Sequence, residues 1–174
     1  VEAFITQELV EAVTVPGRFE LPKVEGVEYH AFADPSGGRQ DSFTLGIAHA
    51  EKSGRIVLDV LRERRPPFKP QAVVAEFSDV LKSFGISEVE TDKYAAEWAA
   101  AAWREHNIRA KNSELTASEI YINALPLISN GTAELLDIKR LAGQLAGLER
   151  RARSGGKDLV THYPGGHDDM ANAA

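Results

Sequence analysis

Cysteine is absent from the 174 residues and methionine occurs once. Without cysteine the chain can build no disulfide, no thiolate zinc site and no cysteine nucleophile, and it suits a reducing compartment. No secretory leader is expected from its opening residues, and no apolar run is long enough to span a bilayer. A phosphate-cradling GxxxxGK is missing, which excludes ATP hydrolysis by that route. The five histidines, His30, His49, His106, His162 and His167, show no HExxH spacing. Ser36, between Pro35 and Gly37, is no nucleophile elbow. Positive charge is also short: 20 Lys and Arg stand against 26 Asp and Glu, a formal net charge of −6. Such a surface is a poor general binder of polyanions, so any nucleic-acid contact has to come from local patches. Two are present, "RERR" at Arg62 to Arg65 and "ERRARSGGK" from Glu149 to Lys157, and either one alone is better read as a solvated strand end or helix face. The chain opens on Val1 rather than Met, which is read as a fragment of something longer.

What is there suits one compact domain with a sizeable core. Residues 1–26 mix short apolar pieces with Pro16, Gly17, Pro22 and Gly26 and read as a lead-in segment. "VEYHAFAD" (27–34) predicts a strand stopped by "PSGG". "SFTLGIAHAE" (42–51) and "GRIVLDVLRERR" (54–65) predict a hairpin turned at Lys52-Ser53-Gly54. After Pro66-Pro67, residues 69–85 carry helical spacing at Val73, Val74, Phe77, Val80, Leu81 and Phe84, with Gly85 as the stop. A short strand (86–92), an Ala-rich helix (93–107) containing Trp98 and Trp103 as packing residues, and another strand (108–111) follow. A helix over about 116–128 comes next, then "TAELLD" as a strand. A helix over about 138–153 repeats Leu141, Leu145 and Leu148, an extended run covers 158–164, and a closing helix starts near His167. Strands in an antiparallel run, then alternating with helices, predict an α/β domain over 27–174 with a mixed sheet flanked by helices.

Three groups of acids stand at element ends. Asp34 closes the first strand, where Pro35 ends the ladder and leaves the side chain at the sheet's rim. Asp92 holds the equivalent place after "SEVET", with Glu90 and Glu97 able to assist. Asp168 and Asp169 stand together in "GGHDDMANAA" at a helix start. Taken singly, each has an ordinary explanation: a type I turn at Asp34, an N-cap at Asp92, acids favoured by a helix N-terminus at Asp168 and Asp169. Taken together they offer what hard cations require, since Mg²⁺ and Mn²⁺ prefer carboxylate oxygens and a pair of ions needs several around one point.

The stretches "FADPSGGRQDSFTLGIAHAE", "VETDKYAAEWAAAAWREHNI", "SELTASEIYINALPLISNGTAELLD" and "HDDMANA" resemble, in this order, the C-terminal nuclease domain of the large terminase subunit of tailed bacteriophages. The resemblance covers about residues 27–174 and rests on the order of the parts more than on any one. It implies an RNase H-like fold and a divalent-metal endonuclease that cuts concatemeric double-stranded DNA with little sequence specificity in the host cell cytoplasm. It further implies two Mg²⁺ or Mn²⁺ ions held by Asp34, Asp92, Asp168 and Asp169. Asp34 would bridge both ions, Asp92 would hold one, and the pair Asp168–Asp169 the other. Partners implied are the terminase ATPase domain of the full-length protein, the small terminase subunit and the portal protein. The chain stops five residues after Asp169, so the family's closing helix would be short. Arg62, Arg64, Arg65, Lys139, Arg140, Arg150, Arg151 and Arg153 are candidates for contacting phosphates rather than bases.

Between the neighbouring acids, helical geometry makes a choice. Successive helical residues diverge by about 100°, so Asp168 and Asp169 cannot meet one ion in the same way. Met170, Ala173 and Ala174 share the spacing of an inner face with which Asp169 aligns, whereas Asp168 aligns with Asn172 on a more polar side. Asp169 is therefore expected as the direct ligand, Asp168 as a cap or a water-mediated contact, and His167 as a residue orienting the turn. Two other classes stay open: another RNase H-like nuclease such as a junction resolvase, and a non-catalytic docking module of the packaging motor in which the acids are only caps and turns.

Overall fold

The computed structural model describes all 174 residues. In chain order its elements are β1 (Glu2–Ala3), α1 (Gln7–Val13), β2 (Tyr29–Asp34), β3 (Phe43–Ala50), β4 (Ile56–Arg64), α2 (Pro70–Ser83) and β5 (Glu88–Thr91). They continue with α3 (Glu97–Glu105), β6 (Arg109–Asn112), α4 (Ala117–Ser129), β7 (Ala133–Glu134), α5 (Lys139–Ala146), β8 (Leu148–Arg151), β9 (Leu159–His162) and α6 (Asp169–Ala173). No helix is long and apolar enough to cross a membrane.

Alternation along β3 organises the centre. Phe43, Leu45 and Ile47 are fully buried on one face, where they join Phe77 and Leu81 of α2 and Trp103 of α3 in one apolar cluster. On the other face Leu58 and Leu61 of β4 meet a second cluster built from α1, α4, α5 and α6. The main sheet has six strands in the order β6-β5-β2-β3-β4-β7. β2, β3 and β4 pair antiparallel, whereas β5 joins β2, β6 joins β5, and β7 joins β4 in parallel. This is the expected mixed sheet with helices on both faces. A separate antiparallel sheet, β1-β8-β9, stands beside it.

Several boundaries differ from expectation. The segment before residue 27 carries structure of its own: Phe4, Ile5, Val10 and Val13 are buried, Thr6 caps α1 by accepting from the Leu9 N–H, and β1 pairs with β8. The Ala-rich helix begins at Glu97 rather than Lys93. The expected helix over 138–153 ends at Ala146, and Leu148 starts β8 instead. Leu148 is buried as the pattern demands, but from an extended backbone whose carbonyl accepts from the Phe4 N–H at 2.9 Å. The closing helix starts at Asp169 rather than His167.

Candidate metal centre

Strand register brings the acids together. β2 lies third of six in the sheet, and Ala33 pairs with Thr91 of parallel β5, so Asp34 and Asp92 leave neighbouring strand ends side by side. On the other flank Asp34 pairs with Thr44 of β3, and the Thr44 hydroxyl donates to the Asp169 carbonyl at 2.7 Å. Asp169 is thereby hung beside Asp34 by a fully buried side chain.

The short helix α6 is fixed from both sides. Below it, Gly46 leaves room: a Cβ there would stand 2.0 Å from the Ala173 carbonyl oxygen, so only glycine lets α6 lie flat across β3. At its start, Oε1 of the buried Gln144 accepts from the N–H groups of Met170 and Ala171 at 2.8 and 3.1 Å. Two of the unpaired donors that every helix start leaves open are satisfied this way. Met170, Ala171, Asn172 and Ala173 are all buried. Asn172 does not lie on a polar outer side, as the helical spacing suggested. It sits inward against Asp34, while Ala174 is exposed.

The electrostatic cost of this gathering is visible in its proton affinities. Burial, opposed by hydrogen bonding from Asn172 and reinforced by Asp169, Asp92 and Asp168, pushes the Asp34 carboxyl up from 3.8 to about 7. Asp169 is pushed up to about 6, first by burial, then by the charges of Asp41 and Asp168, against a lowering influence of His167. Oδ2 of Asp169 is buried without a hydrogen-bond partner. A buried anionic oxygen left unpaired is costly, and a cation is the partner that relieves both that cost and the mutual repulsion. A donor set dominated by carboxylate oxygens fits a hard divalent ion.

Ordinary explanations for the acids account for part of the geometry only. The turn after Asp34 is closed by Ser36, whose hydroxyl donates to the Asp41 carbonyl at 2.6 Å, and not by the Asp34 side chain. Asp92 does not cap α3, whose N-cap is Ala96; one oxygen, Oδ1, accepts from the Tyr94 N–H at 3.0 Å. Asp168 precedes α6 without making a side-chain cap, and its Oδ2 accepts from the Tyr121 hydroxyl at 2.9 Å. Burial, then the Asp168 charge, hold the Tyr121 hydroxyl well above its ordinary pKa, so it stays a proton donor.

The one group of side chains at metal-ligand spacing is Asp41, His167 and Asp169; of the acids named from the sequence only Asp169 belongs to it, while Asp34, Asp92 and Asp168 stand around it, and Asp41 was missed in the sequence. Asp41, at the end of the β2–β3 loop, places a carboxylate oxygen within 4.8 Å of ligand atoms of His167 and Asp169. His167 Nδ1 lies 3.7 Å from Asp41 Oδ1, so His167 belongs to this group as well as to the turn. An exposed loop carboxylate carries no periodicity, and only the folded loop shows which acid it meets.

The expected phosphate-contacting cations are largely engaged. Arg62 pairs with Glu20 at 2.8 Å, Arg64 with Glu76, Arg65 with Glu63 at 3.3 Å, and Arg140 also with Glu63 at 2.8 Å. Arg150 pairs with Asp158 at 2.6 Å and Arg151 with Glu149 at 3.0 Å. Lys139 and Arg153 make no ion pair. Glu63 sits opposite Thr44 in the sheet, which puts Arg65 and Arg140 at the acidic end of the fold.

No protein-family model and no curated protein sequence matches the chain. Solved structures do. The large terminase nuclease of thermophilic phage G20c, with bound cobalt, superposes with a TM-score of 0.76 at 14% identity, covering 99% of this chain and 95% of that one. The large terminase nuclease domain of Thermus phage P74-26 gives 0.68 at 16% identity, covering 96% and 90%. The HK97 bacteriophage large terminase gives 0.71 at 13% identity over 91% of this chain but 39% of its own. Structures of the G20c nuclease with bound magnesium and with bound zinc are also similar. The chain therefore has the RNase H-like fold of phage large terminase nuclease domains.

Proposed function

We propose that this chain is a divalent-metal-dependent DNA endonuclease, the cutting domain of a phage packaging terminase. The observation that carries the reading is the pair of half-buried carboxyls, Asp34 and Asp169, raised to about 7 and about 6 with no lysine or arginine bonded to either, and with Oδ2 of Asp169 buried and unpartnered. The one amide at Asp34, from Asn172, opposes the rise without cancelling it. Likeness to terminase nucleases, one with bound magnesium, supports the same conclusion.

Bound Mg²⁺ or Mn²⁺, two ions in this reading, would acidify a water beside the scissile phosphate and neutralise charge on the departing 3′-oxygen. The chain's own groups fix where this happens. Asp34, on a central strand between Asp92 and Asp169, is the carboxylate able to serve both sides of the centre. Asp92 keeps one oxygen free after its bond to the Tyr94 N–H, and Asp169 offers its unpartnered Oδ2. Tyr121 holds Asp168 from behind, leaving it to act through water or through its charge. Asp41 and His167 add donors on the Asp169 side. Lys139 and Arg153, with the outer nitrogens of Arg62, Arg64, Arg65, Arg140, Arg150 and Arg151, contact backbone phosphates without reading bases. Double-stranded DNA is the substrate. The ATPase domain, small terminase subunit and portal protein are the partners, and the host cell cytoplasm is the place of action.

Supercoiled plasmid incubated with pure protein and Mn²⁺ should be nicked and linearised, and excess EDTA should abolish this. Undiminished cutting in EDTA would remove the metal from the mechanism. Preference for four-way junctions over linear duplex would make the chain a resolvase, and no cutting under any divalent ion would leave a docking module.

A further inference from the structure

The turn that follows Asp92 is built to present an aromatic side chain, and the mechanism above makes no use of it. Tyr94 is 77% exposed and Trp98, four residues on, is 37% exposed, in a protein whose aromatic residues make up only 7% of the chain. Exposure here does not come from a slack loop. The Tyr94 N–H donates to Asp92 Oδ1, the Ala95 N–H donates to the Asp92 carbonyl at 3.0 Å, and the Asn112 amide donates to the carbonyls of Lys93 and Ala95 at 3.0 and 3.4 Å. Four hydrogen bonds thus fix the backbone on both sides of Tyr94 while its ring touches solvent. Lys93 places its ammonium 6.0 Å from the Tyr94 ring centroid and makes no ion pair, unlike most arginines near the acidic end.

A solvent-facing ring on a fixed backbone, beside an unpaired cation and adjacent to carboxyls gathered for phosphodiester chemistry, suits a particular ligand. Phosphates meet the cation, and the face of a base meets the ring. Bases within an intact duplex offer no free face, so the ring can be used only where the strand is locally unpaired. We propose that Lys93 and Tyr94 form a stacking platform that grips a locally unpaired nucleotide next to the cutting site, so that frayed or mismatched DNA is held and cut in preference to perfect duplex. This rests on the nuclease reading above. Tyr94 and Lys93 are binding residues and touch no reacting atom.

The test measures binding of a fluorescent single-stranded 20-mer and of the matched duplex in Ca²⁺, by anisotropy, for wild type, Tyr94→Ala, Tyr94→Phe and Lys93→Ala. Loss of one base stack should weaken single-strand binding about tenfold in Tyr94→Ala, with Tyr94→Phe near wild type and duplex binding changed less than twofold. Lys93→Ala should lower the slope of log K against log salt by about 0.7 on single strands. In Mn²⁺, wild type should nick a duplex carrying a three-base mismatch faster than its perfect counterpart, and Tyr94→Ala should erase that difference. Single-strand binding by Tyr94→Ala within twofold of wild type, or a wild type that does not bind single strands, overturns the platform. If wild type cuts plasmid while either of these holds, the nuclease reading stands and only the platform falls; a wild type that cuts nothing removes the reading beneath it.

Discussion

Among single residues, the oxygen atoms left free decide which acid can meet a metal ion. Asp169 Oδ2 is buried and unpartnered, whereas Asp168 Oδ2 already accepts from Tyr121. Asp169→Asn should therefore lose far more cleavage activity than Asp168→Asn at saturating Mn²⁺, with unchanged circular dichroism. Loss of a metal-ligating charge costs on the order of 10²-fold or more, comparable to removal of a single preorganised electrostatic group elsewhere. The opposite ranking would mean that α6 presents its acids in another register. Asp34→Ala and Asp92→Ala should likewise abolish cutting while leaving the fold intact, and removing one of the repelling carboxyls should raise the melting temperature of the metal-free protein. A wild-type rate in either variant would reduce that acid to a turn residue.

At the scale of elements, α6 is the piece that the site depends on and the one least able to fold alone. Five residues cannot hold a helix in water, so its position comes from Gly46 below and Gln144 at its start. Gly46→Ala forces the Ala173 carbonyl away and should cost about 1–3 kcal/mol, as overpacking does. Gln144→Leu removes two bonds to buried N–H groups and should cost a similar amount. In both, thermal unfolding should shift down and cleavage should fall more than secondary structure does; normal activity with a lowered melting temperature would show that Asp169 reaches its place without α6. Elements with long periodic patterns, such as α2 and the β3–β4 hairpin, were legible in the sequence, because their apolar spacing is unambiguous over eight or more residues. The helix–strand break at Gly147 was not, because Leu141, Leu145 and Leu148 fit a helix face and Leu148 is buried in either conformation. The first 14 residues were missed because a seven-residue helix and a two-residue strand carry too little periodicity. Of the site, the acids at strand ends could be named from sequence, since strand ends next to Pro or a helix are rim positions. That Asp34 and Asp92 are neighbours follows from parallel pairing of β2 with β5, and Asp41 enters through a loop; neither relation is local in the chain.

For the whole molecule, the site makes stability depend on pH in a direction that can be worked out. Asp34 and Asp169 hold their protons more tightly folded than unfolded, being raised from 3.8 to about 7 and about 6. Their contribution is complete below the unfolded value and is lost as pH rises through the folded ones. The metal-free protein should therefore melt at progressively lower temperature from about pH 4 to about pH 7, and Mn²⁺ should restore stability most at the upper end. Burial of Asp59, opposed by His49 at 2.6 Å, raises its carboxyl too, so the comparison that isolates the site is wild type against Asp34→Asn, in which the fall should be shallower. Equal slopes in the two proteins would place the dependence elsewhere. With a net charge of −6 and most candidate arginines in ion pairs, duplex binding by this chain should be weak and should fall steeply with added salt; tight, salt-insensitive binding would contradict this.

In this reading the carboxyls gathered at the end of β2 hold the ion that drives cutting. Calorimetric titration of Mn²⁺ at pH 7 in buffers of different ionisation enthalpy, run beside plasmid cleavage by the same preparations, tests it most directly. Wild type should bind Mn²⁺ with release of protons from Asp34 and Asp169, and Asp34→Asn should lose both the binding heat and the cleavage together. Mn²⁺ binding unchanged in Asp34→Asn, or cleavage that survives its loss, would contradict the account.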